Sequence, residues 1–453
     1  MPRELATLPA GSRLTDYISL GVLTTTFPRA RIQGILDATG TASVRQRALP
    51  APVMVYYVIA LALYMGVAYR EVLRCLLEGL QWLGDPEAQL PVAAKSAIAQ
   101  ARRRLGAAPL RQLYQGTVGP IATPQTRGAW YRTWRLVSLD GSTLDVGDTA
   151  ANAAHFGRPK ASRGQSAFPQ LRFAALVENG THVLCGATPG PYRVGETTLA
   201  AQTLTALRPD MLCLADRLFF GYDLWTQAAA TGAALLWRIK ANLVLPVEQR
   251  LVDGSYRSHI YPSPTARRRG ERGVAGRVIE YTLAPPGPGG PTVYRLLTTV
   301  LDPTQAPAEE LAALYAERWE IETALDELKT HLRGGRLVLR SKTPELCLQE
   351  FYGLLLAHFA VRGLMHEAAL TGDRDPDRLS FVHAVRVVRR TLPRFMAFPP
   401  SGLAEAPRGG AARAPGRTGR PPAGPPHAPR GQAQDERVST PTAQHAAGTP
   451  LIR

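Results

Sequence analysis

Apolar residues recur at helical spacing through roughly the first 125 residues of the chain. The segments 28–38, 51–67, 68–82 and 92–105 each carry that period, so four helices are predicted. Turns marked by Leu49-Pro50 and Gly84-Asp85-Pro86 separate them. From about residue 135 the pattern switches to short apolar runs alternating with helical ones. Strands are predicted over 135–146, 170–180 and 182–190, followed by a helix (197–207), a buried strand (211–217), a helix (222–232) and a strand (234–241). Residues 242–305 break this rhythm with strand-like runs between polar turns, and helices resume over 307–333 and 344–367.

Three strands followed by α, β, α, β match a ribonuclease-H-like sheet whose first three strands form an antiparallel meander. The fold class expected is therefore α/β, with an all-β insertion at about 242–305 and an all-helical region in front. The domains expected are an all-helical N-terminal domain (1–125), an α/β domain that carries the insertion (126–370) and a C-terminal helical segment (371–400). Beyond them, residues 401–453 hold nine prolines and eight glycines without apolar periodicity. Such a composition cannot bury enough apolar surface to order itself, so a disordered tail is expected.

Charge narrows the function. Lys+Arg total 53 against 36 Asp+Glu, a formal net charge of +17, which points to a polyanionic partner. Only five of the cations are lysines (Lys95, Lys160, Lys240, Lys329 and Lys342), and this arginine bias also follows from GC-rich coding. The four cysteines (Cys75, Cys185, Cys213 and Cys347) are far apart and form no C-x2-C pair. A reducing compartment without a zinc site is expected. The start of the chain lacks the apolar core of a signal peptide. The run Val53–Tyr69 is free of charge but contains a glycine and four tyrosines. It reads as a buried helix rather than a membrane span.

The chemistry begins with acids that close apolar strands. Asp140 ends LVSLD and Asp216 ends LCLAD, each at an edge where a carboxylate must be solvated or hold a cation. On the helix LAALYAERWEIETALDELKTHL, a 100° wheel puts Tyr315, Arg318, Glu322 and Lys329 within about 60° of arc. Leu311, Leu314, Ile321, Leu325, Leu328 and Leu332 form the adjacent docking face. Taken alone, that polar face is a solvated surface with an Arg318/Glu322 ion pair.

The spacing Tyr315-x2-Arg318-x3-Glu322-x6-Lys329 resembles the Y-R-E-K signature of the insertion element 4 family of DDE transposases. Asp140 in LDGS and Asp216 in ADRLFFGYDLW match that family's first and second aspartates, and the likeness runs from about 50 to 367. The resemblance implies that Asp140, Asp216 and Glu322 are catalytic and hold two Mg²⁺ ions, with Mn²⁺ able to substitute. In-line displacement at phosphorus uses such paired hard cations, and carboxylate oxygens suit them. It also implies that Tyr315, Arg318 and Lys329 grip the DNA backbone. The partners implied are transposon-end and target DNA and a second copy of the chain. No membrane is involved, and the site of action is the cytoplasmic nucleoid.

Further basic residues are DNA-binding candidates. Arg102, Arg103 and Arg104 end a helix and either complement its dipole or touch phosphate. Trp237, Arg238 and Lys240 close a strand facing the insertion, where Trp237 reads first as core and second as a base-stacking platform. Arg158, Lys160 and Arg163 form a basic loop, and His331 and His358 read as structural. Two other readings stay open: a metal-dependent nuclease of the same fold, and a truncated or impaired transposase that only binds DNA. The abrupt Pro/Gly/Arg-rich tail motivates the second.

Overall fold

The computed structural model describes residues 20–44, 49–64, 66–84, 92–161, 164–165, 168–283, 293–332, 338–386 and 450–452. Six helices come first: α1 (Leu20–Thr26), α2 (Arg29–Ala38), α3 (Ala51–Leu63), α4 (Tyr69–Gly84), α5 (Lys95–Leu105) and α6 (Ala108–Thr117). Four match the predicted helices, and Pro28 and Pro50 stand at the N-caps of α2 and α3, where a missing N–H costs nothing. The charge-free run forms α3, whose side chains are buried almost all round because α13 (Pro344–Thr371) packs against it. Among the described residues no helix is long and apolar enough to cross a membrane.

The central layer is built by β1 (Trp130–Tyr131), β2 (Trp134–Asp145), β5 (Gln170–Glu178), β6 (Val183–Pro191), β7 (Met211–Ala215) and β8 (Ala234–Arg238). Between them lie α7 (Ala150–Phe156), the small ribbon β3 (Lys160–Ala161) and β4 (Gly164–Gln165), α8 (Glu196–Thr203) and α9 (Tyr222–Ala229). The order β6-β5-β2-β7-β8 is the meander-plus-parallel-strand arrangement that the sequence order predicted.

The insertion consists of strands, as expected, with one short helix. Its strands β9 (Gln249–Arg250), β10 (Tyr256–Ile260), β11 (Val274–Leu283) and β12 (Val293–Thr298), with the helix α10 (Pro264–Arg268), extend the central sheet. Strand β12 pairs antiparallel with β8, and the sheet continues as β12-β11-β10-β9. The β8 edge would otherwise present unpaired backbone groups, and β12 satisfies them. Of these strands β9 is only two residues long, whereas β10, β11 and β12 span five or more.

Alternation on β2, β7 and β8 divides the core. Leu136, Leu212, Leu214 and Leu236 face α11 (Ala308–Leu314), while Val137, Leu139, Cys213 and Leu235 join the larger cluster that includes α3, α8 and α13. Helix α13 lies between the sheet, through Phe351 against Phe173 (5.3 Å), and the N-terminal helices. All four cysteines are free and buried. Of the expected tail, 401–449 and 453 lie outside the described residues, as do 387–400. Residues Pro450–Ile452 form β13, antiparallel to the end of β11, so the tail is not uniformly without structure.

Candidate active site

Strand register brings the acids together. In the parallel pair β2–β7 the last partners are Leu139 and Ala215, so Asp140 and Asp216 follow side by side at the same sheet edge. In β7–β8 Ala215 is opposite Trp237, which places Arg238 beyond Asp216 in the same row. The β2–β7 pairing ends here while β2 itself runs on to Asp145 beside β5, and that shared end is why two acids 76 positions apart become neighbours.

The third acid arrives on a helix that is not uniform. After α11 the chain tightens into a 3₁₀ turn (Tyr315–Trp319), runs as α12 (Glu320–Asp326) and then widens into a π turn (Glu327–His331), closed by Leu332 N–H donating to Glu327 O at 2.7 Å. Tyr315, Arg318, Glu322 and Lys329 all reach the ends of β2 and β7 or one another, but they do not form a uniformly solvated face. Glu322 is exposed, but Tyr315 and Arg318 are buried and Lys329 is half-buried. The apolar set docks as expected, with Leu314 only half-buried.

Arg318 is the centre of the site. Its guanidinium stands 3.2 Å from Glu322 Oε1 and 3.9 Å from Asp140 Oδ2, with its carbon 5.0 Å from the centre of the Trp319 ring. Burial alone would lower its pKa, but Tyr315, Asp216, Glu322 and Asp140 together raise it. Burial pushes the Asp140 carboxyl up to about 6. The Gly141 N–H, donating to Oδ1 at 2.7 Å, and Arg318 pull against that, while Glu322 and Glu196 add to it. Asp216 Oδ1 is buried and accepts no hydrogen bond among the described residues, with Arg238 Nη1 3.9 Å away. Asp140 and Glu322 thus share Arg318, whose charge Asp216 also favours while having Arg238 nearer to hand. An orphaned carboxylate oxygen and an all-oxygen acidic donor set fit a hard divalent cation.

Other candidates separate into two groups. Tyr315 donates its hydroxyl to Ala215 O at 3.2 Å, pinning the helix to the end of β7, and burial pushes its phenol well above the ordinary value. Lys329 Nζ donates to Ser142 Oγ at 2.9 Å, on the strand of Asp140. The Arg238 guanidinium lies over Tyr294 at 4.7 Å, and Lys240, Arg103 and Arg104 are exposed.

Two of the DNA-binding candidates are corrected. Arg102 is buried, donating to Gln349 (2.8 Å), Ser341 (3.0 Å), Glu350 (3.3 Å) and Leu346 O (3.3 Å), so it ties α5 to α13. Trp237 is fully buried and edge-on to Trp225 at 5.3 Å, a core residue with no face for a base. In the basic loop Arg158 pairs with Asp148, and Arg163 lies outside the described residues. His331 stands near Asp326, and His358 is buried beside Glu327.

Sequence reasoning missed Glu196. A Cβ on Gly141 would stand 2.7 Å from its Cδ, so the glycine after Asp140 is needed for this fourth acid to approach. In the sequence Glu196 looks like an ordinary acid in the first turn of a helix, and nothing singles it out.

Residues 17–115 match the family description "Insertion element 4 transposase N-terminal", and residues 134–360 match "Transposase DDE domain". Transposase InsG for insertion sequence element IS4 of Escherichia coli (strain K12) is 30% identical over 380 residues, 83% of each chain. A piggyBac transposase synaptic complex with hairpin DNA aligns over 91% of this chain and 88% of that one. At 13% identity and a TM-score of 0.45, that likeness is too distant to bear on function.

Proposed function

Since the chain belongs to the insertion element 4 family of DDE transposases, we propose that it binds the terminal inverted repeats of its element and performs Mg²⁺-dependent cleavage and strand transfer there. The observation that carries this reading is the convergence of Asp140, Asp216 and Glu322 on Arg318. In this reading these three acids would hold two Mg²⁺ ions, or Mn²⁺ in their place, which when bound would supply activation of the attacking hydroxyl or water and stabilisation of the leaving oxygen.

The chain's own residues prepare that event. Arg318 holds three like charges at one edge before any cation arrives, so the site is organised in advance. With its pKa at about 6, Asp140 is mostly ionised at neutral pH and available as a ligand. Tyr315 fixes the height of the helix against β7 and thereby the position of Glu322. Lys329, Lys240 and Arg238 lie on elements bordering the acids and supply positive charge for phosphates on either side of the scissile bond. A cleft of about 920 Å³, lined by Phe220, Tyr222, Lys240, Tyr261, Arg267 and Arg268, opens beyond Asp216 and suits DNA leaving the site. Exposed Arg103 and Arg104 extend the basic surface to the N-terminal helices, read here as the end-binding domain. The working form is a homodimer on paired ends, acting at the nucleoid in the cytoplasm.

The test is a reaction on DNA carrying the element's own ends. Cleavage at the ends and joined products are expected with Mg²⁺ and absent without it. Cleavage without joining would make the protein a nuclease, and metal-independent or end-independent cutting would overturn the proposal.

A further inference from the structure

Behind the three acids the same helix takes part in a second group of ligating side chains. His182, Glu320 and Asp377 each offer one donor atom, all within 4.8 Å of one another. His182 Nε2 is 3.1 Å from Asp377 Oδ1 and 3.7 Å from Glu320 Oε2. The imidazole is buried, 3% exposed, yet Nε2 makes no hydrogen bond among the described residues, although it is aimed between the two carboxylates. Asp377 is partly exposed, which leaves an entry path from solvent.

The ring direction is set by the backbone. His182 sits at φ +57°, a left-handed conformation that costs a non-glycine residue energy and is retained only where its surroundings hold it. Beside it Gly180, at φ +74°, packs so closely on Arg127 O and Ala129 N that a Cβ would stand 2.7–2.8 Å from them. Its N–H donates to Glu320, holding that carboxylate in place. On the far side of the ring, Glu327 Oε1 lies 3.5 Å from His182 Nδ1, and Arg362 contacts both. In this structure Arg362 Nη2 donates to Nδ1, so a metal ion on Nε2 would require the ring proton to move to Nδ1, where the Glu327 carboxylate behind it would accept the hydrogen bond.

We propose that His182, Glu320 and Asp377 form a transition-metal site, separate from Asp140, Asp216 and Glu322, that takes Zn²⁺ or Mn²⁺. One imidazole nitrogen and two carboxylate oxygens suit such borderline ions better than Mg²⁺ or Ca²⁺, which favour oxygen alone. The three ligands come from the β5–β6 turn, the first residue of α12 and the 3₁₀ turn Pro376–Arg378 after α13. The ion would therefore clasp three distant segments together two residues from Glu322, holding the helix that carries it.

The test uses the full chain with Asp140→Asn, Asp216→Asn and Glu322→Gln combined, stripped by chelator, so that binding at the catalytic acids is removed. Titration with Zn²⁺ is expected to show one equivalent bound and a rise in melting temperature. Adding Asp377→Asn or His182→Asn should weaken that binding by about tenfold or more; asparagine tolerates the left-handed backbone at 182. With Mn²⁺, pulsed electron paramagnetic resonance should report an imidazole nitrogen coupling, a signal the all-oxygen catalytic acids cannot give and one that needs no change at 182 or 377. No stoichiometric ion, equal affinity after Asp377→Asn, or bound Mn²⁺ without nitrogen coupling would overturn the site. The first result would leave a simple arrangement in which Arg362 donates to Nδ1 and a proton on Nε2 faces Asp377.

Discussion

Glu322 and Glu327 lie five residues apart on one helical run and meet opposite fates. The Glu322 side chain is 47% exposed, and its nearest cation, Arg318, is shared with two other acids. The Glu327 side chain is 7% exposed and is held by Arg362 (Nε to Oε2, 2.9 Å), with His182 and His358 each 3.5 Å away. Burial disfavours ionisation of Glu327, but Arg362 and the histidines override it and hold the carboxyl well below the usual range. The acid that holds the fold together is thus fully neutralised by protein. The acids at the sheet edge are left short of positive charge, the condition under which a carboxylate seeks a cation from outside.

The strongest way to break this contrast is at the sheet edge. Asp140→Asn, Asp216→Asn or Glu322→Gln should each slow end cleavage by about a thousandfold or more, equivalent to roughly 4 kcal/mol of lost transition-state stabilisation, with melting temperature nearly unchanged. Cleavage rates on labelled end DNA, alongside a melting curve, check both halves. Metal-dependent nicking by any variant removes that residue from the acidic set.

The converse is expected behind the sheet. Arg362→Met leaves Glu327 buried without its main partner and should cost about 3–5 kcal/mol of stability, read by denaturant unfolding. A loss under 1 kcal/mol would mean that the histidines suffice. Tyr315→Phe sharpens the boundary between the two regions. It should remove one hydrogen bond, about 0.5–1.5 kcal/mol, and leave affinity for end DNA intact. Weaker end binding at unchanged stability would return Tyr315 to the DNA-contact set.

The smallest expected effect separates neighbouring arginines on α5. Replacing Arg103 and Arg104 together with Ala should shrink the slope of log K against log salt by about one unit per lost phosphate contact, while stability holds. Arg102→Ala should do the reverse, destabilising the α5–α13 contact without changing the slope. Equal slopes for all three would take α5 out of the DNA interface.

Much of the site was legible because strand ends and acid positions are local facts. LVSLD and LCLAD each show an apolar run reaching a carboxylate, although β2 continues to Asp145, and the parallel pairing of β2 and β7 brings the two acids to one end. For Arg102 and Trp237 the sequence left two readings open, for a shared reason. Whether an arginine at a helix end or a tryptophan in a strand is covered depends on what packs over it. Here that is Gln349 and Ser341 from far along the chain for the one, and Trp225 for the other.

The sequence by itself determined the alternation of strands and helices, the acids at the strand ends and the excess of positive charge, all of which depend on neighbours in the chain. Only the tertiary structure decided which residues of the catalytic helix are covered and which are left exposed. The wheel assumed a constant 100° per residue, but docking on the sheet tightens the helix at Tyr315–Trp319 and widens it at Glu327–His331. Those shifts bury Arg318 among the acids and turn Glu327 toward Arg362 and His182. A periodicity cannot foretell such changes of pitch, because contacts with β7 and α13 impose them.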